Sequence, residues 1–465
     1  ICGVAMGALA IALHDQGYHV TGSDKEFYPP ISTMLEDSGI QLFRGYDANH
    51  VVPSIDMAII GNSVSVGNDE VQAVGKHRIP HTFFAKIAGE LLLHDRTSIV
   101  VSGTHGKTTT TSLVAYALQT LKRNPSYFIG GQVSQLPSSF CFGAGAEGVI
   151  EGDEYDSVFY VKRPKFLFYP PTILVVNALE FDHADIYADL AAIEREFDEL
   201  LLRVPIDGSL IACIDFPAVR ELLERYRNVS NGKARLLTFG ESADAMFRLQ
   251  DVLVTSDRSS ATVIAEGERF QISTLLPGVM NLRNVLASVL VGRQLGIPPQ
   301  AWVDSITDFQ GASRRFQKCF EGERVTLLED FAHHPTAVRE VIRSLLAAFP
   351  NAQHWVAFEP RSNTSRRNLF QAEYGESFKG IQRLFIREIT TRPSDEGQAL
   401  LDLSQLSKAT GEYGTICTVH RDGEEILSVI LEALSQTSEQ VVITIMSNGG
   451  FDGLPARLTQ ALQAL

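Results

Sequence analysis

The sequence predicts an α/β fold in three consecutive domains. Short apolar runs typical of strands alternate with amphipathic helical stretches, and no repeat of fixed period interrupts this pattern. A length of 465 residues corresponds to about three domains of ~150 residues each. Glycine-bearing turns between a strand and a helix open both the first and the second part of the chain. We therefore expect domains at 1–95, 96–312 and 313–465.

The composition is that of a globular protein, and it excludes some partners. The chain carries 40 basic and 55 acidic residues, a formal net charge of −15. Proteins that bind nucleic acid usually carry a basic footprint, so we expect no nucleic-acid partner. A phosphate ligand would require a local device such as a helix N-terminus or a bound cation.

The cysteines and the lengths of the apolar runs indicate the cellular compartment in which we expect the protein. Five scattered cysteines form no CxxC pair, which argues against a disulfide framework or a zinc ribbon and favours a reducing cytoplasm. No apolar run reaches the ~18–20 residues that span a bilayer, so no membrane insertion is expected. The chain begins at Ile1 without Met, in what reads as a strand end, and we expect a few residues to precede it. The sequence leaves the oligomeric state open.

The first domain begins like a Rossmann-like nucleotide-binding βαβ unit. Gly3 and Gly7 open a helix of small residues, and the runs Tyr18–Asp24 and Asp56–Gly61 read as strands. A glycine-bearing turn between strand and helix lets the backbone approach a phosphate.

The second domain opens with the strongest local motif, a phosphate-binding loop. The apolar run Ser98–Val101 precedes it and a helix to about Lys122 follows, which is the context that such a loop requires. Lys107 is placed to reach β- and γ-phosphates, and the Thr108 hydroxyl to bind Mg²⁺. The alternative is a chance Gly-Lys-Thr turn. The spacing GxxGKT makes this a P-loop-like motif of seven residues: Gly103, Thr104, His105, Gly106, Lys107, Thr108 and Thr109.

Two acidic clusters follow strands in the same domain. Glu151 opens EGDEYD after an apolar run, and His183 closes NALEFDH after the strand-like Thr172–Asn177. Ligands commonly lie at the carboxyl ends of strands in such sheets, and a cation on phosphates needs oxygen or imidazole ligands. We therefore predict Thr108, Glu151 and His183 as metal ligands. Solvated loop charge is the alternative.

The third domain reads as a further Rossmann-like α/β unit. Strands and helices alternate, with helices expected over Thr336–Ala348 and Glu424–Leu434. The expected strands are Val325–Asp330, Gln353–Phe358, Arg383–Ile386 and Gln440–Ile445.

Six motifs in this order resemble the landmarks of the ATP-dependent Mur ligases of peptidoglycan synthesis. The motifs are GTHGKTTT, EGDEYD, NALEFDHAD, NLRN, SRRF and EDFAHHPT, and the resemblance covers essentially the whole chain. It implies a cytoplasmic ligase with a central P-loop ATPase-like domain, which activates a carboxylate as an acyl phosphate and then forms an amide. The implied cofactors are ATP and Mg²⁺, two ions by analogy.

Motifs in the first and third domains indicate which substrates the resemblance implies. The start ICGVAMGALA, supported by GSD, resembles the branch that binds UDP-N-acetylmuramate. The segments EPRSNT and MSNGGF, with Tyr28-Pro29-Pro30, resemble members that add the murein tripeptide L-alanyl-γ-D-glutamyl-meso-diaminopimelate during recycling. The alternative is addition of free L-alanine. The implied sugar-nucleotide residues are Gly3, Met6, Gly7, Ser23 and Asp24.

The resemblance also implies individual roles. Lys107, His183 and Arg315 would act on the transferring phosphoryl group, Asn281 and Asn284 would contact adenine, and Asp330 the ribose. The implied peptide residues are His333, His334, Arg361, Ser362, Asn363, Ser447 and Asn448. Without the resemblance, Asn281 reads equally well as a helix cap and Arg315 as part of a solvated linker.

The sequence departs from the usual pattern of the family at three points, and two other functions are alternatives to this ligase. Met280 stands where the family usually has a histidine, the helix over 191–202 lacks the lysine that several members carbamylate, and no Asp-Asn-Pro-Arg motif is present. A nucleotide-dependent switch would leave Glu151 and His183 without a shared purpose. A folylpolyglutamate-type ligase would lack the ~95 residues that precede the loop.

Overall fold

A computed structural model describes residues 1–28, 31–229, 234–392 and 395–464. Pro29 and Pro30 of the Tyr-Pro-Pro segment therefore lie outside the described residues. The described chain forms three α/β parts in sequence, built around separate sheets. The predicted α/β class with three parts is confirmed.

The first part contains two parallel strand pairs, β1 with β2 and β3 with β4. Gly7 lies where the first two helices cross, and a Cβ there would sit 2.4 Å from the Ile31 side chain. A glycine is therefore needed for the close approach. The elements are α1 Val4–Asp15, β1 Thr21–Asp24, α2 Ile31–Asp37, β2 Gln41–Arg44, β3 Ala58–Ile60, α3 Asp69–His77, β4 His81–Phe83 and α4 Phe84–Leu93.

The second part is a ten-stranded sheet with helices on its faces, ordered β16-β15-β14-β13-β12-β11-β5-β8-β6-β7. The strands are β5 Thr97–Ser102, β6 Ser126–Phe128, β7 Phe140–Cys141, β8 Glu147–Gly152, β11 Ile173–Val176, β12 Ser209–Cys213, β13 Arg235–Gly240, β14 Phe247–Val254, β15 Ser259–Ala265 and β16 Glu268–Thr274. A separate antiparallel pair consists of β9 Asp156–Val158 and β10 Val161–Pro164. The helices are α5 Lys107–Thr120, α6 Leu190–Leu202, α7 Pro217–Val229, α8 Val279–Gln294 and α9 Pro299–Ser305.

The order of this sheet brings the predicted motifs together. Strand β5 lies between β8 and β11 and is parallel to both, with Ser102 opposite Gly152 on one side and Val176 on the other. Since the carboxyl ends of parallel strands share one edge, the phosphate loop, the first acidic cluster and the second acidic cluster emerge side by side.

The third part is a six-stranded sheet ordered β17-β18-β22-β19-β20-β21, parallel except for β17. Met446 of β22 lies opposite both Asp330 and Phe358, so the loops after three central strands meet at one edge. The elements are β17 Gln317–Glu321, β18 Val325–Asp330, α10 Pro335–Ala348, β19 Gln353–Phe358, α11 Gln371–Ser377, β20 Arg383–Arg387, α12 Leu403–Gly411, β21 Ile416–His420, α13 Gly423–Ser435, β22 Val441–Met446 and α14 Leu454–Gln463.

Helix α5 is buried although its first turns are polar. The Thr111 hydroxyl donates to the Lys107 carbonyl and the Ser112 hydroxyl to the Thr108 carbonyl, so these groups satisfy their hydrogen bonds within the helix. The rest of α5 packs with α8 in the core beneath the sheet, together with the fully buried Trp302. This packing fixes the helix that begins at the phosphate loop.

The predicted strands and helices of the third part are confirmed within one or two residues. The strands β14, β15 and β16, which pair antiparallel, were not predicted from the sequence. Ala312 packs in the core of the second part and Phe316 in that of the third, which supports the boundary that we propose at 312/313. Among the described residues, no helix combines the length and apolarity needed to cross a membrane.

Candidate active site

The phosphate loop joins β5 to α5 and needs glycine at two positions. Gly103 has φ +124°, and a Cβ there would lie 2.7 Å from the carbonyl oxygen of Ala178. Gly106 has φ +80° and precedes the first residue of α5. The backbone N–H groups at the start of a 14-residue helix therefore face the loop, which is the arrangement that favours an anion.

Lys107, Glu154 and His183 form a hydrogen-bonded cluster beside this loop. The Lys107 ammonium contacts both Glu154 carboxylate oxygens at 2.7 and 2.9 Å and donates to the Gly103 carbonyl at 2.7 Å. The His183 Nε2 atom lies 2.7 Å from the Glu154 Oε1 atom. The Glu154 side chain has no exposed surface. A carboxylate thus joins the two groups predicted to act on the phosphoryl group.

The charges of this cluster stabilise one another. Burial disfavours the Lys107 ammonium, but the charges of Glu154 and Asp153 outweigh it and raise the pKa of Lys107. Burial also opposes ionisation of Glu154, yet Lys107 and the hydrogen bond from His183 lower the pKa of that carboxyl. The pKa of His183 is raised, because the hydrogen bond and charge of Glu154 outweigh burial.

Thr108 and Glu151, the other two predicted metal residues besides His183, are hydrogen-bonded to each other. The Thr108 hydroxyl donates to the Glu151 carboxylate at 2.8 Å, and the Gly130 N–H donates to the other carboxylate oxygen at 2.7 Å. Burial is the main cause that raises the pKa of Glu151, with the charge of Lys107 opposing it. A hydroxyl and carboxylates beside a phosphate loop are the oxygen donors that Mg²⁺ prefers, so the donor set fits that ion.

Glu180 links the phosphate loop to the third part of the chain. Its carboxylate lies 2.8 Å from the His105 Nε2 atom and accepts a hydrogen bond from the Thr336 hydroxyl at 2.9 Å. Ligand atoms of His105, Glu180 and His334 lie within 4.8 Å of one another, a spacing that a metal ion could use. However, the His334 Nδ1 atom accepts the Thr336 N–H and its Nε2 atom donates to the Phe181 carbonyl. Both imidazole nitrogens are committed, which favours a hydrogen-bonded link.

The buried His334 is expected to make stability depend on pH. Burial, with repulsion from His105, lowers the pKa of His334 to about 4. An unfolded histidine titrates near ~6.5, so between about pH 6.5 and 4 the unfolded chain binds more protons and the free energy of unfolding falls as the pH falls. His334→Gln is expected to remove up to about 3 kcal/mol of that loss.

Urea unfolding of wild type and His334→Gln at about pH 7 and pH 4.5 measures this difference. His19→Gln, at an exposed histidine of the first part, serves as the matched control and should behave as wild type. An equal loss of stability on acidification in wild type and His334→Gln would contradict the prediction.

The predicted adenine-side residues lie on α8 and contact the phosphate loop helix. The Asn284 side chain accepts from the Thr110 hydroxyl at 3.2 Å and donates to Asn281 at 3.3 Å. Asn281 in turn donates to the Pro277 carbonyl at 2.8 Å. Asn281 therefore bonds the backbone four residues earlier, and with Met280 and Asn284 it also lines the cavity at the loop.

The hinge between the second and third parts, residues 313–316, places Arg315 on the same cavity as Asp330 at the end of β18. The Arg315 guanidinium lies over the Phe331 ring at 4.6 Å and has no hydrogen-bond partner among the described residues. Asp330 accepts the backbone N–H groups of Phe316 and Ala332, each at 2.7 Å. Burial lowers the pKa of Arg315 and raises the pKa of Asp330, while their mutual attraction opposes both shifts. The contact of Asp330 with a ribose stays a prediction.

The predicted sugar-nucleotide residues lie at the start of α1 and the end of β1. Gly3 caps α1, which carries Met6 and Gly7, and the Asp24 carboxylate accepts the Cys2 N–H at 2.8 Å. Ser23 is the neighbour of Asp24 in β1. Val4 and Ala5, at the first turn of α1, line the same cavity as the phosphate loop.

The predicted peptide residues divide into two groups. His333 and His334 line the cavity at the phosphate loop. The second group lies in the loops after β19 and β22 and consists of Arg361, Ser362, Asn363, Ser447 and Asn448. Between these loops, the Glu359 carboxylate accepts a hydrogen bond from the Ser447 hydroxyl and lies 3.9 Å from the Arg361 guanidinium. The Ser362 hydroxyl bonds Ser365 within its own turn. Asn363 belongs to the same loop, and the Asn448 side-chain oxygen has no partner among the described residues.

One cavity of about 420 Å³ is lined by residues of all three parts of the chain. Its walls come from the start of α1, the phosphate loop, both acidic clusters, α8, the hinge and the start of α10. The cations facing it include Lys107, Lys165 and Arg315. The second part supplies a helix N-terminus, carboxylates and two lysines, the third supplies Arg315, and the first supplies apolar residues of α1. Such a cavity can hold a phosphate-rich ligand between the three parts.

Sequence reasoning missed three residues that line the cavity and a fourth, Glu180, that contacts the phosphate loop. Glu154, Asp182, Lys165 and Glu180 all contact predicted site residues or their neighbours. Glu154, Asp182 and Glu180 stood within the quoted acidic runs, so the runs were the signal. Choosing Glu154 beside Glu151 required the tertiary contact with Lys107.

Comparisons with known proteins agree with this geometry. The description "Mur ligase family, catalytic domain" matches residues 1–96 and "Mur ligase middle domain" matches 101–292. The chain is 33% identical over 464 residues to the UDP-N-acetylmuramate–L-alanyl-γ-D-glutamyl-meso-2,6-diaminoheptanedioate ligase of Escherichia coli, covering 99% of this chain and 97% of that protein.

Two solved structures share the architecture. A murein peptide ligase from Psychrobacter arcticus superposes with a TM-score of 0.70 at 26% identity, covering 100% of this chain and 98% of that one. The UDP-N-acetylmuramate–alanine ligase of Thermotoga maritima has a TM-score of 0.79 at 22% identity, with the same coverage, and shows the fold alone. With its site geometry, both family descriptions and a relative matched over nearly its whole length, the chain belongs to the Mur ligase family.

Proposed function

We propose that the protein is an ATP-dependent ligase that joins UDP-N-acetylmuramate to L-alanyl-γ-D-glutamyl-meso-diaminopimelate by an amide bond, as in peptidoglycan recycling. The observation that carries this proposal is the convergence of Lys107, His183 and Arg315 on one cavity that also reaches the start of α1. The name of the E. coli relative specifies these two substrates and supports their choice.

In the first step, the lactyl carboxylate of the sugar nucleotide attacks the γ-phosphorus of ATP, and ADP leaves. Lys107 and the N–H groups at the start of α5 bind the phosphates, and Arg315 is free of other hydrogen bonds and neutralises charge on the transferring group. Thr108, Glu151 and His183 would hold Mg²⁺, which supplies charge neutralisation on the phosphates when bound.

In the second step, the α-amine of the tripeptide attacks the acyl phosphate carbon, the amine loses a proton, and phosphate leaves as the amide forms. Positioning of the two reactants in a closed cavity supplies much of the rate. We assign the peptide to the third part of the chain, where His333 lines the cavity and Arg361 lies 3.9 Å from Glu359 in the loop after β19.

Addition of free L-alanine is the second candidate, since a UDP-N-acetylmuramate–L-alanine ligase of Chlorobium phaeobacteroides is 31% identical to this chain over 468 residues. The two acceptors differ in chemistry. L-alanine presents one carboxylate, whereas the tripeptide presents three carboxylates and needs a longer, more cationic acceptor site. Three arginines suit the tripeptide: Arg361 in the loop after β19, Arg387 at the end of β20 and Arg392 in the loop that follows.

The acceptor is tested by following ADP release from purified protein with ATP, Mg²⁺ and UDP-N-acetylmuramate, and with either the tripeptide or L-alanine. We expect turnover with the tripeptide to exceed that with L-alanine by at least about a hundredfold in kcat/KM, because the longer acceptor offers more contacts. Turnover with L-alanine alone would reassign the substrate. ADP release that does not depend on the sugar nucleotide would contradict ligation with either acceptor.

A further inference from the structure

The segment that carries His183 is held by the third part of the chain on both sides of that residue. We call residues 180–184 the histidine segment. On its N-terminal side, the Thr336 hydroxyl donates to Glu180 at 2.9 Å, and the His334 Nε2 atom donates to the Phe181 carbonyl at 3.1 Å. Both partners lie at the start of α10, so one helix end forms hydrogen bonds with two consecutive residues.

Contacts continue through the rest of the segment. The His333 Nε2 atom lies 3.8 Å from the Asp182 carboxylate. Beyond the histidine, the Arg367 guanidinium donates to the Ala184 carbonyl at 2.9 Å, and the Ala184 N–H reaches the Thr364 hydroxyl at 3.4 Å. Four of the five residues therefore touch the third part, and these contacts come from two separate loops of it.

His183 itself forms its hydrogen bonds inside the second part. Its Nε2 atom contacts Glu154, and its backbone N–H donates to the Asp182 carboxylate at 2.7 Å. Its φ of +56° lies in the left-handed region, which non-glycine residues seldom adopt. Such a backbone conformation persists where the surroundings impose it, and here the neighbouring residues on both sides are fixed from outside.

We propose that Thr336 and Arg367 are positioning residues, which hold the backbone of the histidine segment and thereby keep His183 in this conformation beside Glu154. This inference rests on the proposed role of His183 in ligation. Glu180 also lies 2.8 Å from His105 of the phosphate loop, so the Thr336 contact extends to that loop. Neither positioning residue touches Lys107 or Glu154 through any described hydrogen bond.

The test uses Arg367→Ala and Thr336→Val in the full-length chain. We expect kcat for ligation to fall about tenfold in each variant, with KM for ATP and for the tripeptide changed less than about twofold, because reactant binding persists while His183 loses its position. Arg367→Lys should restore most of kcat, since an ammonium can still donate to the Ala184 carbonyl. Arg421→Ala, at a mainly exposed arginine of the same part, should match wild type.

Hydrogen–deuterium exchange supplies a readout that does not depend on catalysis. The amides of Ala184, Ile186 and Tyr187 are hydrogen-bonded in the structure, the last two to the His183 carbonyl. Their exchange should accelerate at least about fivefold in Arg367→Ala, while peptides from β5 and α8 exchange as in wild type. Restored protection in Arg367→Lys would support the same conclusion.

The outcomes separate this inference from the proposed function. If wild type fails to ligate the tripeptide, the proposed function is wrong, and the exchange measurement still tests whether the third part holds the histidine segment. If wild type ligates it and the two variants keep both kcat and amide protection, the positioning role is wrong. A fall in kcat without faster exchange would assign these side chains to substrate contact and would also overturn the proposal.

Discussion

Lys107→Ala is expected to lower the rate of ligation by about a thousandfold or more, because it removes a preorganised charge from the transferring phosphoryl group. It also leaves Glu154 buried without its cation, and removing one partner of a buried ion pair typically costs about 3–5 kcal/mol. Steady-state ADP release and urea unfolding measure the two effects separately.

A second variant distinguishes lost chemistry from lost stability. Lys107→Met with Glu154→Gln removes both charges, so most of the stability should return while ligation stays absent. Lys162→Ala, at an exposed lysine that pairs with Asp156 at 3.0 Å, is the matched control and should ligate normally. Near-normal turnover in Lys107→Ala would show that the phosphate-loop assignment is wrong.

Gly103→Ala is expected to cost about 3 kcal/mol or more of stability and to weaken ATP binding at least tenfold. The residue has φ +124°, and the new Cβ would meet the Ala178 oxygen at 2.7 Å and the Ala178 nitrogen at 2.8 Å. Both atoms are backbone of the loop after β11, so a side-chain rotation cannot relieve the overlap. The phosphate loop must therefore shift away from the second acidic cluster.

Isothermal titration with ATP and urea unfolding test this prediction. Gly75→Ala is the matched control, because this glycine lies inside α3 and a Cβ would meet nothing within 4 Å. An alanine there should be neutral or stabilise the protein by about 0.5–1 kcal/mol. If Gly103→Ala kept wild-type stability and ATP affinity, the tight approach between the loop and Ala178 would have no energetic importance.

Much of the fold was readable from local patterns. The apolar runs over Val325–Asp330 and Gln353–Phe358 are strands with the predicted bounds, because buried parallel strands need continuous apolar residues. The strands β14, β15 and β16 were missed. Polar and apolar residues mix along these strands, as in an antiparallel sheet that is exposed on one face. None of them therefore forms the continuous apolar run that identified the buried strands.

The sequence predicted which residues belong to the candidate site, but it did not predict which of their side chains form hydrogen bonds with one another. The phosphate loop, Glu151 and His183 were found because a strand end and a motif coincide at each of them. Which carboxylate would meet Lys107 depended on the parallel placement of β8 beside β5 and on the turn after Glu151, which brings Glu154 to the ammonium. No spacing along the chain encodes that distance.

The sequence by itself determined the α/β class, the phosphate-binding loop and the resemblance to the Mur ligases, since these depend on local residue order. The tertiary structure alone decided that Glu154 bridges Lys107 and His183, and that residues 333–367 hold the segment around His183. The physical reason is that these contacts join groups far apart in the chain, in one case 183 residues apart. Burial and sheet order bring such groups together, and neither leaves a local mark in the sequence.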